Sequence, residues 1–150
     1  ITIELAENII NEFKYEKLTQ EFLHEWYKKQ PINRDIVEIA KILKNNGYNL
    51  FVLSNMANQT YEYFKNDEFF SLCTGIVISA HEHVKKPDEK VYRLLLDRYN
   101  LNAEECLFID DDDSGKNYET ANKIGIKGRR IMPNQAEDVK KLLLEFNVKI

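Results

Sequence analysis

The chain has 150 residues, of which 43% are hydrophobic and 31% charged, and it carries a formal net charge of −4. This length fits one globular domain with a substantial core, and the acidic balance argues against nucleic-acid binding as its main role. No apolar run approaches the length of a membrane span and no signal peptide is recognisable, so we expect a cytoplasmic protein with no membrane partner.

The chain begins with an aromatic-rich helical pattern over residues 4–29, which predicts two short helices separated near residues 14–17. Leu18, Phe22 and Trp26 recur at one-turn spacing and would form a single apolar stripe. Packing against the rest of the protein is the simpler role for this stripe. The alternative is that its aromatic side chains shape a substrate pocket.

Helices and strands then alternate to the end of the chain. The pattern over residues 31–47 predicts a helix with Gly47 as its left-handed cap, and the apolar run "NLFVLSN" predicts a strand buried on both faces. The remaining predicted elements are helices near 59–66, 87–100, 118–123 and 136–146 and strands near 75–79, 106–110 and 128–131. The alternation predicts an α/β fold, a Rossmann-like parallel sheet with helices on both faces.

Polar residues stand where these strands end. Ser54 and Asn55 follow the first strand, Asp110 and Asp111 follow the third, and Lys86 precedes the helix between them. In such sheets, ligands bind at the carboxyl ends of the strands. A hydroxyl and an amide can donate to phosphate oxygens, a lysine neutralises charge, and carboxylates hold a hard cation. Each residue alone is common in turns and helix caps, but together they predict a magnesium-assisted phosphoryl site.

The acidic run "LFIDDDDSGKN" is the most informative of these stretches. Four adjacent carboxylates repel one another, so they require either open water or a cation. A helix-loop-helix calcium site would use Asp110, Asp112, Ser114 and Gly115, but its last position would be Ala121 instead of glutamate. A strand also precedes the run, and we therefore exclude a calcium loop.

The two cysteines, Cys73 and Cys106, lack the spacing of a zinc site and the density of a disulfide scaffold. Both lie in apolar sequence. We expect them to be buried free thiols.

Three stretches in this order resemble the motifs of the haloacid dehalogenase superfamily, most closely its small phosphatase-like members with a helical cap. They are "LFVLSN" with Ser54, "KKPDEKVY" with Lys86, and "LFIDDDDSGKNYETANKIGIKG" with its acidic pair and following asparagine. The resemblance implies that residues 1–30 are part of the cap and that residues 31–150 form the α/β core.

The resemblance further implies a magnesium-dependent phosphatase acting on a small phosphorylated metabolite, such as a sugar phosphate, through an aspartyl-phosphate. Ser54, Asn55 and Lys86 would hold the phosphate, Lys86 and Asp110 would be catalytic, and Asp110 and Asp111 would bind Mg²⁺. Asp112 is a further possible metal ligand, because the acidic loop has about two more residues than the family pattern.

The family's first motif, a strand ending Asp-x-Asp ahead of the cap, has no match here. In the family this strand lies between the strands that end at Ser54 and Asp110 and supplies the nucleophile. We therefore expect the 150 residues to be an N-terminally truncated piece, or the central strand to come from elsewhere. The alternatives are a catalytically inactive domain that binds phosphate or a protein partner, and a dehalogenase of the same superfamily. A signalling receiver domain is excluded, because its acidic pair stands near the start of the chain.

Overall fold

The computed structural model describes residues 25–29, 31–132 and 135–150. Seven helices lie in these ranges: α1 Arg34–Asn45, α2 Asn58–Phe64, α3 Glu68–Leu72, α4 Ser79–Glu82, α5 Glu89–Tyr99, α6 Lys116–Lys123 and α7 Ala136–Glu145. The four described strands are β1 Phe51–Ser54, β2 Gly75–Ile78, β3 Leu107–Asp110 and β4 Lys127–Arg130, and 3-10 turns cover Trp26–Lys29 and Ala103–Glu105. Of the two helices predicted over residues 4–29, the part up to residue 24 lies outside the described residues, and Trp26–Lys29 at its end form a 3-10 turn.

The strands form two parallel pairs. β1 pairs with β2 so that Ser54 lies beside Ile78, and β3 pairs with β4 so that Asp110 lies beside Arg130. In the described part of the chain these are two separate two-stranded sheets, with no hydrogen bonds between β1 and β3. The predicted α/β class with parallel strands is confirmed, and the sheet is interrupted where the missing central strand was expected.

The side chains of β1 are less buried than the sequence predicts. Every residue of β1 is half-buried, and the same is true of β3, although both strands are apolar runs. Each strand has a described neighbour on one edge only, so one side of the strand stays partly open to solvent. The prediction that β1 is buried on both faces is therefore corrected to partial burial.

Helices cover both faces of the strands. One core cluster is formed by α5, β2, α6 and the loop after α6; its buried members are Val77, Val91, Tyr92, Leu95, Ala121 and Ile126. A second cluster joins α1 to α7 through Ile39, Ala136 and Leu143. Phe108 packs on the first cluster and Leu107 on the second, because successive side chains of a strand point to opposite faces.

Local signals define α1 at both ends. The Asn33 side chain accepts a hydrogen bond from the Asp35 amide at 2.9 Å, which caps the start of the helix. Gly47 follows the helix at φ +85°, in the left-handed region that favours glycine, as predicted. None of the described helices is both long and apolar enough to cross a membrane.

Both cysteines are free thiols, as expected, but each is half-buried rather than fully buried. The Cys73 Sγ donates to the Phe69 carbonyl at 3.3 Å, and the Cys106 Sγ donates to the Asn102 carbonyl at 3.2 Å. Burial raises the pKa of both thiols, which lowers their reactivity at neutral pH.

Gly128 of β4 lies against the backbone of α6. A Cβ at this position would be 2.4 Å from the Tyr118 carbonyl oxygen, which belongs to the helix backbone and cannot rotate away. We expect Gly128→Ala to lower the free energy of unfolding by about 2 kcal/mol, because α6 must move off the strand. Urea unfolding measures this change. Lys127→Ala, at the exposed neighbouring position, is the control, and equal losses in the two variants would contradict the close contact.

Asp67 caps α3 and pairs with Arg34. Its carboxylate accepts hydrogen bonds from the Arg34 guanidinium at 2.5 and 3.2 Å and from the Phe69 amide at 3.0 Å. The Arg34 hydrogen bonds are the main cause that lowers the pKa of Asp67 below its usual 3.8. A carboxyl whose pKa is lower in the folded state stabilises the fold above the unfolded pKa and loses that contribution as the pH falls through the folded pKa.

We therefore expect Asp67→Asn to be less stable than the unmodified protein at pH 7 by at most about 1 kcal/mol, since Arg34 is largely exposed. The difference should begin to shrink as the pH falls below 3.8 and should vanish once the pH is below the lowered pKa of the folded state. Urea unfolding at several pH values measures it. Asp97→Asn, whose carboxylate has no cationic partner in the described residues, is the control, and a pH-independent difference for Asp67→Asn would contradict the prediction.

Candidate active site

A buried ion pair joins the end of β3 to the loop before α5. The Lys86 Nζ lies 2.5 Å from the Asp110 Oδ2, and the two side chains are only 10% and 7% exposed. The neighbouring Lys85 is exposed. Two opposite charges removed from water in this way depend on each other, because either one alone would carry a large desolvation cost.

The second oxygen of Asp110 is held by the start of α6. Its Oδ1 accepts from the Asn117 side-chain amide and from the Asp112 backbone amide, both at 2.9 Å. Asn117 is itself buried, with 9% exposure. Three donors therefore fix the orientation of the Asp110 carboxylate, one on Oδ2 and two on Oδ1.

The loop after β1 is tied to the backbone of Lys86. The Asn55 Oδ1 accepts from the Lys86 amide at 2.8 Å, and the Asn55 Nδ2 donates to the Lys86 carbonyl at 2.9 Å. The phosphate contact predicted for Asn55 uses its backbone amide, so the engagement of its side chain with Lys86 leaves that prediction standing. These two bonds bring the ends of β1 and β3 to one site.

Ser54 is the last residue of β1 and directly precedes Asn55. It is half-buried, and its hydroxyl has no hydrogen-bond partner among the described residues. The next turn of the loop is braced by the Ser79 hydroxyl, which accepts from the Met56 amide at 3.1 Å. The Ser54 hydroxyl is therefore available to a ligand, on a loop whose neighbouring residues are fixed.

The remaining aspartates of the acidic run differ in their surroundings. Asp112 braces the loop: its carboxylate accepts from the Ser114 hydroxyl at 2.7 Å and from the Asn117 amide at 3.2 Å. The Ser114 hydroxyl is the main cause that lowers the pKa of Asp112. Asp113 pairs with Arg130 at the surface. Asp111 is exposed and has no partner in the described part of the chain.

Tyr92, on α5, is a contact that the sequence did not single out. It is fully buried, and its hydroxyl donates to the Asn117 carbonyl at 2.9 Å. Burial is the main cause that raises the pKa of Tyr92, with Asp110 and Asp112 adding to it, so the hydroxyl remains a donor. The sequence does place a tyrosine on the apolar face of α5. Because a buried hydroxyl needs a hydrogen-bond partner, this pattern could have indicated such a contact.

The acidic residues fit a magnesium ion that shares its coordination with a substrate. No group of three or more His, Cys, Asp or Glu side chains in the described ranges could by itself hold a metal. Mg²⁺ does not require such a group, since it commonly binds one or two protein carboxylates together with water and substrate phosphate. Asp110 and Asp111, the latter without a partner in the described ranges, are adjacent carboxylates of this kind at the end of a strand.

Comparison with known proteins identifies the family. A model for haloacid dehalogenase-like hydrolases matches residues 1–130. A candidate phosphatase from Clostridium difficile has a TM-score of 0.66 at 18% identity, over 93% of this chain and 77% of its own. A haloacid dehalogenase family enzyme from Bacteroides thetaiotaomicron, a point mutant solved with magnesium and inorganic phosphate, has a TM-score of 0.64 at 17% identity, over 89% and 70%.

An uncharacterised protein from Corynebacterium glutamicum also matches, with a TM-score of 0.62 at 20% identity over 81% of this chain and 89% of its own. Another structure of the Bacteroides enzyme is covered over only 54% of its length. These structures are alike in fold, and the family model extends over most of the sequence. The chain belongs to the haloacid dehalogenase-like hydrolases.

Proposed function

We propose that this chain supplies the phosphate-binding and metal-binding part of a magnesium-dependent phosphatase that acts on a small phosphorylated metabolite. The observation that carries the proposal is the buried Lys86–Asp110 pair at the carboxyl end of β3. Asn55 ties Lys86 to the end of β1, where the Ser54 hydroxyl has no partner among the described residues. A cation, a carboxylate and a hydroxyl donor in one place suit phosphoryl transfer, which depends on positioning and charge stabilisation.

Each residue has a distinct role in this proposal. Ser54 donates its hydroxyl, and Asn55 its backbone amide, to phosphate oxygens. Lys86 places positive charge beside the phosphate while it remains paired with Asp110. Asp110 and Asp111 are the ligands for Mg²⁺, which when bound would offset the repulsion between an anionic nucleophile and the phosphate.

We further propose that the nucleophile is an aspartate on a strand outside these 150 residues, as the family resemblance implies. The interruption between β1 and β3 supports this idea, because each strand has a vacant edge in the described residues. The carboxylate oxygen would attack phosphorus as the bond to the substrate oxygen breaks, and that leaving oxygen would take a proton from water and depart as the alcohol. Water would then attack the aspartyl-phosphate and release inorganic phosphate. Residues 1–30 are proposed to be part of the cap.

The test uses the complete product of the gene that encodes this chain. Phosphate release is measured on a panel of sugar phosphates and other small phosphate esters, with Mg²⁺ and with EDTA. We expect release only with Mg²⁺. The absence of release from every ester would overturn the phosphatase proposal, and release that persists in EDTA would overturn the role of the metal.

A further inference from the structure

We infer that Tyr92 is a positioning residue that sets the orientation of Asp110 by acting through Asn117. This inference rests on the proposed function only where it concerns the rate of catalysis. The contacts themselves form a short chain of hydrogen bonds: Tyr92 hydroxyl to Asn117 carbonyl, and Asn117 side chain to Asp110, each at 2.9 Å.

The first turn of α6 depends on Tyr92 for its position. Asn117 is bonded through its backbone amide to Asp112, through its carbonyl to Tyr92, and through its side chain to Asp110. The Asp112 bond is local to the acidic loop. The Tyr92 hydrogen bond comes from a different helix, α5, and therefore fixes the position of α6 against the core.

A tyrosine at this position needs a reason beyond packing. Tyr92 has no exposed surface, and a buried hydroxyl costs free energy unless it is hydrogen-bonded. Phenylalanine would fill nearly the same volume without a polar group to satisfy. The ring also packs edge-on against Phe108 at 5.5 Å, and the Lys86 Nζ lies 5.4 Å from the Phe108 ring.

Both charges of the buried pair are consequently set by one helix. Lys86 lies just ahead of the first turn of α5, and Tyr92 lies one turn further along the same helix. Lys86 holds the Asp110 Oδ2 directly, while Tyr92 holds the Oδ1 side through Asn117. A shift of α5 would move both contacts together, so the orientation of Asp110 depends on the position of this one helix.

The test compares Tyr92→Phe with Tyr99→Phe in the full chain. Tyr99 is also on α5, and its hydroxyl accepts from the Ile76 amide at 3.2 Å, away from Asp110. The readout is the NMR signal of the Asn117 side-chain amide, in which the proton bonded to Asp110 should resonate apart from its geminal partner. We expect this separation to shrink in Tyr92→Phe and to persist in Tyr99→Phe. An unchanged signal in Tyr92→Phe would overturn the inference.

Kinetics give a second readout in the active enzyme. Tyr92→Phe should lower kcat on the order of 10-fold with little change in KM, because a displaced carboxylate weakens the transition state more than ground-state binding. Adding Tyr92→Phe to Asn117→Ala should cause little further loss, since both act on one contact. Fully additive effects would overturn the route through Asn117. If the unmodified enzyme releases no phosphate, the proposed function fails, while the amide signal still decides the role of Tyr92.

Discussion

Phosphate release by the complete gene product is expected to fall about 1,000-fold when Asp110 is replaced with asparagine. Asparagine keeps the size of the side chain but removes the charge that pairs with the Lys86 ammonium and, in the proposed site, binds Mg²⁺. Donors approach both carboxylate oxygens of Asp110, so the Nδ2 group of the asparagine would face another donor whichever way its amide is turned. The loss should appear in kcat and in the Mg²⁺ concentration needed for half-maximal activity.

The matched control for this prediction is Asp113→Asn. Asp113 belongs to the same acidic run, but it is 89% exposed and pairs with Arg130 at the surface. We expect this variant to retain activity within a few-fold of the unmodified enzyme. A similar loss in both variants would mean that the net charge of the run matters and that Asp110 has no special place in it.

Replacing Lys86 with methionine is expected to lower the free energy of unfolding by about 3 kcal/mol, because it leaves the Asp110 carboxylate buried without its cation. Methionine keeps most of the length and apolar character of the lysine stem, so the loss reports the charge. Urea unfolding at neutral pH measures it. Lys85→Met, at the exposed neighbouring position, should cost much less.

A double variant separates the pair from its packing. Adding Asp110→Asn to Lys86→Met removes the stranded charge, so we expect part of the lost stability to return. If the loss of unfolding free energy in the double variant equals the sum of the losses in the two single variants, Lys86 and Asp110 contribute to stability independently. The destabilisation by Lys86→Met would then come from lost side-chain packing.

The sequence was sufficient to predict the order of the main elements. The apolar face of α1 has a clear helical period, and burial of Ile39 and Ala40 follows it. The run that ends at Ser54 has the length and composition of a strand, although its residues are only half-buried. Two short helices were not predicted. α3 has five residues and α4 has four, so neither is long enough to show a helical period. Ser79, expected in the strand, begins α4 instead.

The site was predictable in its residue types but not in its contacts. A strand ending in Asp110 and a lysine before a helix are local patterns, and sheet topology brings the strand ends together. By contrast, Asp111 and Asp112 each stand between two aspartates in the sequence, and only the fold of the loop gives them different hydrogen-bond partners. The Asn55 side chain and the Tyr92 hydroxyl find partners at sequence separations of 31 and 25 residues. Such contacts depend on tertiary packing, to which local patterns are insensitive.

The strand edges also bear on how this chain behaves at high concentration. β1 and β3 are apolar and carry neither lysine nor proline, the residues that commonly protect an edge, and each has a vacant edge in the described part of the chain. β4 is different, because Lys127, Arg129 and Arg130 are exposed along it. A chain in which these edges stay open should therefore self-associate through β1 and β3, while like charges on β4 oppose stacking at that edge.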